Sequence, residues 1–99
     1  MTDLYIIATI VTGEGNADAL QAALLPAVHA FREEAGCLGY TLLQDQKTPG
    51  RFVTYERWSD ADALRQHMKS ATLSALQSEI TPLLTQEMTQ AFLDPLLIL

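Results

Sequence analysis

The chain has 99 residues, 48 % of them hydrophobic and 18 % charged, with a formal net charge of −6; this excludes a disordered segment and fits one domain over 1–99 that buries roughly two-thirds of its unfolded surface. Six scattered basic residues form no stripe, which argues against nucleic acid and against an anionic membrane surface as partners. The single cysteine, Cys37, rules out an internal disulfide and a multi-cysteine metal site, as suits a cytoplasmic protein.

Leu4 to Val11 is rich in Ile, Val and Tyr and apolar on both alternating faces, so it reads as a strand covered on both sides. The apolar run has no basic leader and is too short to span a bilayer. Gly13-Glu14-Gly15 ends it and lacks the third glycine and the lysine of a phosphate loop. Asn16 is a suitable N-cap for a helix from Ala17 to Glu34, whose inward stripe is Leu20, Leu24, Val28 and Phe31. Pro26 predicts a kink or a helix in two pieces. Gly36 is the expected left-handed cap, and Glu33 and Glu34 read as a solvated helix end.

Leu38 to Gln44 is the second strand, with Leu38, Tyr40 and Leu42 expected on one face. A polar loop with a Pro49-Gly50 turn joins it as a hairpin to Arg51–Trp58. Ser59-x-x-Asp62 resembles a capping box for a helix to about Lys69, and Ser70 caps a further short helix with Leu73, Leu76 and Ile80 inward. Pro82 stops that helix, and Leu83 to Leu93 reads as a last, weaker strand before an apolar tail, 94–99. The order is β-α-β-β-α-α-β, an α+β ferredoxin-like sandwich. Helices cover one face of such a sheet. Ile7, Val11, Val53 and Tyr55 leave apolar side chains on the other, so a homodimer is expected.

The third strand carries the chemistry. Phe52, Thr54, Glu56 and Trp58 share one face, and an acid between aromatics is unusual if that face is buried. His67 lies on the side of the following helix expected to pack inward, so Glu56, Trp58 and His67 are expected to line one polar pocket. Each has an ordinary structural explanation on its own. Glu56 can pair with a hydroxyl or a cation, Trp58 can be core, and a half-buried helical histidine is often simply hydrogen-bonded. No nucleotide or flavin fingerprint appears and no metal set is expected.

Glu34-Ala35-Gly36-Cys37-x-x-Tyr40, then Arg51-Phe52-x-x-Tyr55-Glu56-x-Trp58, then Ala63-Leu64-x-x-His67-x-x-Ser70, together resemble the antibiotic biosynthesis monooxygenase domain family over nearly the whole chain apart from the final tail. The resemblance implies a dimeric α+β barrel of two sheets packed face to face, with a pocket between each sheet and its helices. It also implies oxygenation of small phenolic, quinol or polyketide-like aromatic substrates with O2 and without a cofactor. Glu56, Trp58 and His67 fall on the family's recurrent glutamate, tryptophan and helical histidine. Thr72 stands where a second histidine is frequent, and no histidine occurs in 71–90, where haem-degrading members carry an axial one.

Triplet oxygen reacts slowly with closed-shell organics, so the substrate must first become an electron-rich anion. His67 is the candidate base for a phenol or enol, with Glu56 orienting or charge-balancing it. Trp58, Tyr40 and Phe52 are the candidate substrate contacts, Trp58 by stacking and Tyr40 by a hydrogen bond. Two other readings stand beside this one: proton transfer or isomerisation on a small carbonyl compound, and a non-catalytic ligand-binding dimer.

Overall fold

The computed structural model describes residues 3–99; residues 1 and 2, which the expected domain includes, lie outside the described residues. Strand β1 (Leu4–Val11) buries Ile6, Ala8 and Ile10 and leaves Tyr5, Ile7, Thr9 and Val11 half-exposed. That is the period-two pattern of a strand packed on one face. Strand β3 (Arg51–Trp58) does the same, with Phe52, Thr54, Glu56 and Trp58 all buried. Together with β2 (Cys37–Gln44) and β4 (Thr89–Leu93) they form one antiparallel sheet in the order β2-β3-β1-β4.

Helix α1 (Ala17–Arg32) packs on the inner face through Leu20, Leu24, Ala27 and Phe31, at spacings of three and four. It follows a 3-10 turn, Glu14–Asn16, and the Asn16 side chain makes no capping bond. Of the expected kink or break, the break does not occur: α1 runs through Pro26 as one helix. Ala22 and Pro26 are both exposed there, so water can satisfy the carbonyl that the proline leaves free. Helix α2 (Ala61–Met68) is capped by Asp60, which accepts from the Ala63 amide at 2.8 Å. The cap is therefore one residue later than the expected Ser59. Helix α3 (Ala71–Ile80) is capped by Ser70 as expected, at 3.1 Å from the Leu73 amide, and buries Leu73, Leu76 and Ile80.

Two differences bear on the site. A bulge between Cys37 and Gly39 resets the alternation of β2, so Cys37 is buried, Leu38 is exposed, and Tyr40 and Leu42 still point inward. The last strand is shorter than the expected 83–93. Leu83 ends a 3-10 turn (Thr81–Leu83), Leu84 only bridges to Thr12, and pairing with β1 begins at Thr89. The intervening Thr85–Met88 segment lines a cleft with Gln77, Ile80 and Thr81, and the Thr85 amide donates to the Val11 carbonyl.

Candidate active site

Glu56 is 2 % exposed. Both its carboxylate oxygens are taken: Thr54 Oγ1 donates to one at 2.7 Å and Trp58 Nε1 to the other at 3.0 Å. These donors come from the residues two before and two after it, which the strand places on the same face. Two donors make a buried carboxylate tolerable without a cation. Tyr40, on the neighbouring strand, is the register partner of Glu56. Burial, and then the Glu56 charge beside it, hold the Tyr40 phenol well above its ordinary range. It is therefore a neutral hydroxyl, able to donate.

His67 comes from α2, is 3 % exposed, and lies against three rings. Trp58 is tilted by 31° at a centroid distance of 4.6 Å, Phe31 meets it edge-on at 4.6 Å, and Tyr40 lies at 6.0 Å. Its hydrogen-bond partner is Glu34: Nδ1 lies 2.8 Å from Glu34 Oε1. Two expectations are corrected here. Glu34 is not simply a solvated helix end, and the carboxylate bonded to His67 is Glu34, not Glu56. The reason is Gly36, whose φ of +81° turns the chain back to the sheet and leaves Glu34 facing α2. Glu33, one residue earlier, is exposed.

Tyr40, Thr54, Glu56 and His67 line one cavity between the sheet and helices α1 and α3, walled otherwise mostly by aliphatic side chains. Gln77 and Gln90 add two amides, and no lysine or arginine lines it. Its free volume is only about 30 Å³, room for one or two waters. A cleft of about 610 Å³ lies against it, and Gln77, Ile80 and Met88 line both spaces. Trp58 and Phe52 do not line the cavity. Trp58 sits behind His67 and braces it, while Phe52 is buried in the core with Ile10 and Leu20. Thr72 is half-buried and lines a separate groove against α1. Among the described residues no group of three or more His, Cys, Asp and Glu side chains could hold a metal ion.

Glu34 and Thr54 join the site in the structure without being among its expected residues. Thr54 was visible as a same-face neighbour of Glu56. Glu34 pairs across 33 positions, which no local pattern predicts.

The antibiotic biosynthesis monooxygenase family profile matches residues 3–79. The chain belongs to this family. Among solved structures it is similar to one described as an antibiotic biosynthesis monooxygenase, at 31 % identity and TM-score 0.89 over 94 % of this chain and 98 % of that one. It is also similar to PA3566 from Pseudomonas aeruginosa, at 35 % identity and TM-score 0.90 over 98 % and 97 %. A third is Rv0793 from Mycobacterium tuberculosis, at 27 % identity and TM-score 0.87 over 96 % of each chain. No curated protein matches. The four-stranded α+β fold is thus that of the antibiotic biosynthesis monooxygenases, and Tyr40, Thr54, Glu56 and His67 lie within the matched residues, while Ile80, Met88 and Gln90 of the cavity wall lie beyond them.

Proposed function

We propose that this antibiotic biosynthesis monooxygenase family member oxidises a small phenolic, quinol or polyketide-like aromatic substrate with O2, without a cofactor. The observation that carries the reading is the cavity itself: an imidazole, a buried carboxylate and a neutral phenol converge on a space walled otherwise mostly by apolar side chains. Lacking a cationic wall residue and carrying Glu56, the cavity suits a neutral hydroxyl compound over an anion. His67 Nε2, with Nδ1 committed to Glu34, accepts the hydroxyl proton. Tyr40 donates to a second oxygen of the substrate, and the apolar walls limit competing reactions with water. Trp58 acts by holding His67, not by stacking on substrate. A ring does not fit in about 30 Å³, so Met88 and Gln77 move apart and the substrate enters from the neighbouring cleft.

The test is oxygen uptake with a panel of hydroquinones and anthrones. Turnover is expected, and His67→Ala should lower kcat by about 10²–10⁴-fold, the usual contribution of a positioned base. Full turnover in that variant would remove His67 from the mechanism. No uptake, with proton exchange on a small carbonyl compound instead, would move the site to the isomerase reading.

A homodimer is part of the proposal. Tyr5, Ile7, Val11, Leu43, Tyr55 and Leu93 lie on the sheet face away from the helices, half-exposed or exposed. Fully burying an exposed side chain of this kind is worth roughly 1.5–3 kcal/mol, and a half-buried one less; a second copy offers the matching face. No helix among the described residues is long and apolar enough to cross a membrane.

A further inference from the structure

The Glu34–His67 pair joins two spaces that are otherwise separate. His67 lines the internal cavity, whereas Glu34 does not. Glu34 lines an open cleft of about 380 Å³ on the other side of α2, together with Gly36, Asp60, Asp62, Gln66 and Ser70. The Glu34 side chain is 23 % exposed and that of His67 3 %. The imidazole therefore reaches water through its carboxylate partner.

An ionised carboxylate can only accept, so Nδ1 must carry the proton of this bond. In the neutral ring that leaves Nε2 as the lone-pair nitrogen, and Nε2 makes no hydrogen bond to any described residue. A free imidazole has no such fixed tautomer. The position of Glu34 also leaves it clear of Glu56, whose two oxygens are occupied by Thr54 and Trp58.

We propose that Glu34 is a positioning residue of the site, and that Glu34 and His67 form a carboxylate–imidazole dyad through which protons pass between the internal cavity and the outer cleft. The inference deepens the function proposed above, in that it takes His67 as the base. When a substrate O–H breaks, its proton forms a bond to Nε2 and the substrate oxygen keeps the electron pair. The ring is then a cation, held by Glu34 through Nδ1–H. Transfer of that Nδ1 proton to Glu34 Oε1, and from there to a water in the cleft, leaves a neutral ring protonated on Nε2; the resting Nδ1–H form returns when Nε2–H gives its proton to the reacting oxygen in the cavity and Nδ1 takes one back from Glu34. The reverse sequence supplies a proton to the cavity. No oxidant or further reactant enters the relay. The titratable and charged groups around it are Tyr40 and Glu56 on the cavity side of the ring, Asp60 and Asp62 on the cleft side of Glu34, and Cys37 and Arg32 at the turn that follows Glu34.

The experiment is ¹⁵N NMR of the histidine side chains, with the exposed His29 as an unconstrained reference assigned by His29→Gln. In the wild-type protein, at a pH where the ring is neutral, His67 should carry its proton on Nδ1. Glu34→Ala should shift it toward the Nε2–H form that a free imidazole prefers. Glu34→Gln keeps an acceptor oxygen and should keep the tautomer, yet exchange the ring proton with water more slowly. On a substrate that the wild type turns over, Glu34→Gln should lose on the order of a hundredfold in kcat with KM little changed. Formate or acetate should restore part of the activity of Glu34→Ala. A wild-type proton on Nε2 would overturn the dyad, and so would unchanged ring-proton exchange in Glu34→Gln. If nothing is turned over, the function reading fails, and the tautomer and exchange measurements still decide the dyad.

Discussion

At the scale of single residues, the site is a set of polar groups that satisfy one another inside apolar walls. Glu56 and Trp58 were legible in the sequence because a strand puts residues two apart on one face, and their bond spans two positions. Glu56 also has the ordinary explanation foreseen for it, a hydroxyl partner in Thr54. Tyr40 provides a test with a definite sign. Its folded-state pKa is raised by burial and by Glu56, so its contribution to stability is fully present below the ordinary tyrosine value of about 10 and is lost as pH rises above it. Tyr40→Phe should therefore flatten the alkaline arm of stability while leaving the neutral region less affected, measured as urea midpoints from about pH 8 to about pH 12. An alkaline arm as steep as in the wild type would show that the phenol ionises freely.

At the scale of elements, the position of α2 decides where His67 goes. Gly36 sets it from the other side. A Cβ at this glycine would run into the Ala63 side chain and lie 2.8 Å from Ser59 Oγ, and the backbone already has φ +81°. Gly36→Ala should cost about 1–2 kcal/mol for the left-handed backbone alone, more once α2 is pushed away. Because α2 carries His67 and the same turn carries Glu34, the expected signature in NMR is a weakened His67–Glu34 bond as well as lower stability by denaturant unfolding. An unperturbed His67 in a destabilised protein would separate the two effects. The glycine cap was readable from its place just after the helical run. Its contact with Ala63 was not, since it depends on how a helix packs across a turn.

At the scale of the whole molecule, the uncovered sheet face and the tail carry most of the exposed apolar surface. Leu96, Leu97, Ile98 and Leu99 are all exposed, Leu93 lies on the uncovered face as the register partner of Tyr5, and Phe92, the register partner of Ile6, is exposed on the helix side. With a homodimer through the sheet, Tyr55→Glu should shift the protein to monomer in sedimentation at micromolar concentration, because it places a charge on the buried face. Removing residues 96–99 should weaken the dimer by about 2 kcal/mol or more if even one of these side chains is buried by the partner. A wild-type monomer at the same concentration would rule the interface out. The sequence by itself determined the element order, the inward stripes and the family, because these rest on periodicities of two and three-to-four residues and on short motifs read in order. Only the tertiary structure decided that Glu34 holds His67, that Trp58 and Phe52 stand behind the cavity, and that the cavity is closed to a ring. Those depend on contacts between residues far apart in the chain, and local patterns carry no record of such distances.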